Sequence, residues 1–270
     1  MWKLLVPTVG VVVVGALIAR PGDFSNLRQS ATAHRAATLG YLTPQELPDG
    51  VALLPPPPQA GSAAMLGDEE ARAAALPLRG TARYALAAAD ADREQAPTAT
   101  AFQCAFGTEI SAKRTPTLYE LLAKVRLDVR AASYPAKSHF KRPRPFAVYD
   151  THTCYPTDES NVRDDGSYPS ARGAVGWTYA EVLKELNPAR SAEIWQRAIE
   201  FGRSRVVCDE EWTSDVEASR VLATATLKHI EDKPAFRSDF NAAQREVATA
   251  LGSGVKAPNC NAETLALASR

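Results

Sequence analysis

Ser204-Arg205-Val206-Val207-Cys208-Asp209-Glu210-Glu211-Trp212-Thr213-Ser214-Asp215 is the stretch that decides how this chain is read. It sets a serine-arginine pair ahead of an acid at 211 and a second acid at 215. Two stretches upstream complement it. Lys137 precedes Arg144-Pro145, and Gly166-Ser167-Tyr168-Pro169-Ser170 runs into Ala171-Arg172-Gly173. A phosphate or similar oxyanion needs fixed cations and N–H donors, and arginine's planar fork suits it well. Lys137, Arg144 and Arg205 are cations of the kind such a site would need. The Ser170 hydroxyl and the backbone N–H groups of 170–173, at the predicted start of a helix, supply neutral donors and a favourable dipole.

In order and spacing, these three motifs resemble those of the bacterial class A non-specific acid phosphatases, of the type 2 phosphatidic acid phosphatase and vanadium haloperoxidase superfamily. The resemblance runs from about residue 40 to about residue 250. It implies an all-α fold, a single-domain helical bundle, in an exported periplasmic protein that is often a homodimer. It also implies hydrolysis of small phosphomonoesters with no metal or other cofactor. Lys137, Arg144, Ser170, Ala171 and Arg205 match the family's phosphate-binding positions. Glu211, Asp215 and Arg172 match its catalytic ones. Ala171 stands where the family has glycine, which keeps the N–H but adds a methyl where a ligand would approach.

In the family, the histidine at position 211 attacks phosphorus, the aspartate at 215 orients it, and a histidine at 172 protonates the leaving oxygen. Those roles need a nitrogen nucleophile and a donor with a pKa near the working pH. A guanidinium stays charged and donates no proton usefully, and a carboxylate is repelled by phosphate unless cations dominate. The expectation is therefore a retained oxyanion pocket with impaired phosphomonoester hydrolysis, a pseudoenzyme. The alternatives are an active acid phosphatase, or a repurposed enzyme using Glu211 as nucleophile or base. The opposite signs of the two replacements predict an Arg172–Glu211 ion pair. The loss of the family's metal-bonded histidine also argues against vanadate-dependent peroxidase chemistry.

The remaining candidates carry less. Lys141 and Arg142 read as a solvated basic face. His34, His139, His152 and His229 occupy no motif position, and Trp177 and Trp212 read as packing. No Cys/His spacing suggests zinc. Lys and Arg (31) balance Asp and Glu (31), so no global field steers the chain to a nucleic acid polymer or to anionic lipid. The expected partner is a small phosphate ester or other oxyanion.

Trp2-Lys3 followed by the apolar run Leu4 to Ala19 reads as a signal peptide or N-terminal anchor, short for a membrane span of about 20 residues. The domain plan is 1–20 signal or anchor, 21–50 linker and irregular arm, 51–255 helical domain, and 256–270 tail. Cys104, Cys154, Cys208 and Cys260 suit an oxidising compartment, with three pairings open. Pro55 to Pro58 predict an extended segment packed on the body, as in the family, rather than a partner-binding PxxP.

Helical patterning predicts one helix from Asp68 to about Asp92. A second opens at Thr115-Pro116, carries Leu118, Leu121, Leu122, Val125 and Val129 on one face, and breaks near Ser133-Tyr134-Pro135. Residues 146–168 read as a loop. Further helices are predicted near 170–186, 191–207, 213–230 and 234–251.

Overall fold

A computed structural model describes residues 40–268; the signal or anchor expectation, and most of the linker, lie outside the described residues. The long helices are α1 (Ala63–Ala75), α2 (Ala82–Ala91), α3 (Pro116–Phe140), α4 (Ala171–Leu186), α5 (Ser191–Val207), α6 (Thr213–Glu231), α7 (Pro234–Gly252) and α8 (Cys260–Ala268). Among the described residues there is no strand, and no helix is long and apolar enough to cross a membrane. The architecture is all-α.

The predicted stripe on α3 is buried throughout, from Leu118 to Val129. It packs with Val175, Tyr179 and Leu183 of α4, Ile194 and Phe201 of α5, and Leu227 and Ile230 of α6 in one core. The Tyr179 hydroxyl donates to the Leu122 carbonyl at 3.0 Å, which satisfies the one polar atom that this ring brings inside. On burial alone each such Leu or Phe contributes about 1.5–3 kcal/mol. The core therefore holds α3 to α6 together, and the motif residues ride on the ends of those helices.

Three expectations about elements are corrected. The helix read from Asp68 to Asp92 is two helices. Pro77 and the left-handed Gly80 (φ 79°) stop the first, and the Thr81 hydroxyl caps the second. The break expected at Ser133-Tyr134-Pro135 does not occur. α3 continues through Pro135 to Phe140 and carries Lys137 on its last turns. A proline withholds one N–H, but Ala132 and Ala136 beside it are fully buried, and that packing outweighs the lost bond. Finally, 146–168 is not all loop: it holds the short helices Pro145–Val148 and Glu159–Val162.

The extended prolines lie against the body, with the Tyr168 hydroxyl donating to the Pro55 carbonyl at 2.8 Å. Disulfides join Cys104 to Cys260 and Cys154 to Cys208. The first ties α8, within the stretch read as a tail, back to the bundle. The second clamps the end of α5 just before Glu210 and Glu211.

Candidate oxyanion site

Each cation of the site is aimed by its backbone. Lys137 points inward from α3, and its ammonium donates to the carbonyls of Gly166 (2.6 Å) and Ser167 (3.1 Å). A Cβ on Gly166 would stand 2.6 Å from the Lys137 carbonyl oxygen, so only glycine lets these segments approach this closely. Arg144 sits between Pro143 and Pro145, where restricted backbone angles hold it extended at the start of a short helix. Its Nε donates to the Val162 and Asp165 carbonyls (2.9 and 3.0 Å) and its Nη1 to the Glu210 carbonyl (3.1 Å). Arg205 projects from the last turn of α5 into the protein, fully buried.

After α5 ends, Asp209 takes a left-handed φ of 61°. The turn folds Glu210 and Glu211 back over Arg205, whose carbonyl accepts from both of their N–H groups. Asp209 is held in that strained position by Arg72 (2.7 Å), Arg79 (3.2 Å) and the Thr151 hydroxyl (2.6 Å).

All these elements converge on one carboxylate. Glu211 Oε1 lies 3.4 Å from Arg144 Nη1 and 3.9 Å from Lys137 Nζ, and its Oε2 lies 3.4 Å from Arg205 Nε. The Ser170 hydroxyl donates to the same Oε2 while accepting from the Gly173 N–H at 2.7 Å, as the N-cap of α4. Lys137, Arg144, Arg205, Ser170 and Glu211 are all 3% exposed or less. Burial by itself would raise the Glu211 carboxyl. Arg205, Lys137 and Arg144, with the Ser170 hydroxyl, instead hold it down to about 2. Burial, with Arg144 nearby, brings the Lys137 ammonium down to about 8. Ala171 is the first residue of α4, beside this cluster and half-buried.

The other two expected catalytic positions lie apart from that convergence. Asp215 accepts from the Trp212 N–H (2.8 Å) and from Arg142 (2.6 Å), while its carbonyl accepts from the Ser170 N–H (2.9 Å). Burial pushes its carboxyl up to about 6, against the pull of Arg142. The expected Arg172–Glu211 pair is absent. Arg172 donates instead to the Thr98 hydroxyl (2.9 Å) and to the carbonyls of Asp90 and Asp92. Those carbonyls close the C-terminus of α2, whose dipole favours a cation there. Glu211 had nearer cations on three sides, and Arg172 had a helix end.

Sequence reasoning missed two contributors. Arg142, read as solvated, is 6% exposed and bridges Asp215 to Asp68, with Nη2 at 2.7 Å from the Asp68 carboxylate. Its place in Arg142-Pro143-Arg144-Pro145 is the available signal: in an extended stretch residues two apart share a face, so Arg142 turns inward with Arg144. Glu210, passed over as a spacer, is 2% exposed and pairs with Arg205 and with Arg93 (3.4 Å). Among the histidines, His139 and His229 are exposed, His152 pairs with Glu159 at 3.1 Å, and His34 lies outside the described residues. Trp212 is packed, with its indole N–H donating to the Pro143 carbonyl at 2.9 Å. Trp177 packs at a tilt against Trp195, with ring centroids 4.3 Å apart.

A family model described as the PAP2 superfamily matches residues 121–231, the segment from α3 through α6. A non-specific acid phosphatase of Providencia stuartii is 39% identical over 211 residues, covering 78% of this chain and 85% of the relative. One from Salmonella typhi is 34% identical over 214 residues, at 78% and 86% coverage. An acid phosphatase of Zymomonas mobilis is 33% identical over 229 residues, at 85% and 87%. The buried cations of α3 and α5, the capped start of α4 and this similarity over most of each relative lead to one assignment: the chain belongs to the non-specific acid phosphatase family of the PAP2 superfamily.

Proposed function

We propose that this chain is an exported member of its family that keeps the oxyanion cradle but fills it with its own Glu211, so that phosphomonoester hydrolysis is impaired. The observation that carries the reading is the convergence of Lys137, Arg144, Arg205 and Ser170 on the Glu211 carboxylate. A carboxylate offers the same acceptor geometry as two oxygens of a phosphate. An incoming ester must displace it from three cations and enter a site that is almost wholly buried. Neither expected chemical role is supplied. Glu211 held down to about 2 is a feeble base at any acid working pH, and its three cations hold both of its oxygens. Arg172 faces the α2 carbonyls. The apolar run Leu4 to Ala19 and the two disulfides support export to a periplasmic, oxidising space. The ligand class supported by the family is a small phosphate ester or other oxyanion, and a homodimer is part of the same reading.

Assay with a chromogenic phosphomonoester at acid pH tests the proposal. Wild-type protein is expected to show little turnover, and Arg172→His combined with Glu211→His is expected to raise it. Brisk wild-type hydrolysis would sink the reading. If that activity were also lost in Glu211→Gln, the carboxylate would be the nucleophile or base of a repurposed enzyme.

A further inference from the structure

Three acids stand in a row where α5 ends, Asp209, Glu210 and Glu211, beside one another and at the negative end of a helix dipole. The fold sends each to its own set of cations. Glu211 pairs with Arg144, Lys137 and Arg205, and Glu210 with Arg205 and Arg93. Asp209 takes none of these. It pairs with Arg72 of α1 through two bonds, Nε to Oδ1 at 2.7 Å and Nη2 to Oδ2 at 3.0 Å. Arg79 and the Thr151 hydroxyl complete its surroundings, and the carboxylate is buried.

The backbone at Asp209 decides where Glu211 goes. Among the described residues, Lys141, Asp150, Asp209 and Asn259 are the non-glycine residues at positive φ, and of these only Asp209 is buried. That region is disfavoured for an L residue. Were Asp209 right-handed, α5 would run on, and residue 211, six places beyond Arg205, would lie about 240° around the helix axis from it. The left-handed turn reverses the chain instead. The Glu210 and Glu211 N–H groups then reach the Arg205 carbonyl (3.1 and 3.3 Å), and the Glu211 carboxylate reaches the Arg205 guanidinium at 3.4 Å. The Phe146 N–H donates to the Asp209 carbonyl at 3.0 Å and fixes the outer edge of the turn.

We propose that Asp209, held left-handed by Arg72, is a positioning residue that keeps Glu211 seated in the cradle, and that loosening this turn opens the cradle to inorganic phosphate. The inference rests on the reading that Glu211 fills the cradle. A two-bond arginine–carboxylate pair fixes orientation as well as adding stability, so it offsets the unfavourable backbone conformation. An incoming oxyanion therefore competes with a carboxylate whose backbone is locked from the α1 side of the turn.

Calorimetric titration of inorganic phosphate into the full chain and its variants at neutral pH tests it. Asp209→Ala removes the clamp and keeps the handedness penalty, so it should bind phosphate about tenfold more tightly than the wild type. Asp209→Gly removes the clamp but accepts the left-handed turn, and should gain clearly less. A role confined to stability would lower phosphate binding rather than raise it. Equal gains in the two variants would place the phosphate in the vacated Asp209 pocket beside Arg72, and overturn the proposal. Should Asp209→Ala fail to fold, Arg72→Met decides, since it withdraws the two-bond partner and removes the main cation of that competing pocket. A tighter phosphate complex is expected there, and an unchanged one overturns the proposal. Glu211→Ala separates the two readings. A gain in that variant alone leaves the filled cradle standing and overturns the Asp209 clamp, whereas no gain in it overturns both.

Discussion

The Glu211 corner and the Arg172 corner of the site absorbed opposite charges in opposite ways. Glu211 lies among three cations and a hydroxyl, all on elements that the core holds in place. Its neighbours more than offset the loss of hydration, and the carboxyl stays ionised far into acid. Arg172 met no free anion. It turned to neutral acceptors at the end of α2, kept one N–H unmatched and lies under the repulsion of Arg205 and Arg93. Three buried cations and a hydroxyl around one point accommodate a carboxylate. A further cation beside them is accommodated at a helix terminus instead.

Removing each charge should expose the asymmetry, and the largest effect is expected at Glu211. Glu211→Ala strips the shared partner from three buried cations and should cost about 3–5 kcal/mol in urea unfolding. Formate, acetate or phosphate at millimolar levels should restore part of the loss by entering the vacated cradle. A variant as stable as the wild type, and indifferent to these anions, would break the comparison.

Acid titration should show a slightly smaller effect. A carboxyl whose folded value lies near 2, against an ordinary 4.5, contributes stability that is complete above about 4.5 and lost as pH falls toward about 2. The size is about 3 kcal/mol. Asp215, raised to about 6, acts with the opposite sign and adds stability as pH falls from about 6 toward 3.8. Subtracting the unfolding profile of Glu211→Gln from that of the wild type isolates the Glu211 part. A difference that stays constant from pH 6 to pH 3 would contradict the assigned environment.

The smallest effect belongs to Arg172. Arg172→Met keeps the volume and removes a poorly compensated charge, so a cost of about 1 kcal/mol is expected from the hydrogen bonds lost at Thr98 and α2. If it destabilised the chain as much as Glu211→Ala, the two corners would be equivalent after all.

The helical architecture was legible because its signals are local. The α3 stripe, the Thr115-Pro116 start of that helix and the Ser170 start of α4 are read within a few residues of where they act. Patterns failed where distant packing overrode a local rule. Pro135 reads as a helix stop, yet α3 continues past it because its neighbours are buried. Arg142 reads as solvated basic surface, yet Asp68, which is 74 residues away in sequence, and Asp215 draw it inside.

From the sequence came the expectation that Lys137, Arg144, Ser170 and Arg205 act together, because these residues match the motifs of a known family in order and spacing. It also singled out the oppositely charged Arg172 and Glu211. Which partners those two residues take was settled only by the tertiary structure. Opposite charge is a property of residues, whereas pairing depends on which groups the packed helices bring within a few ångströms. Here the packed helices bring three cations to Glu211 and leave Arg172 to the end of α2.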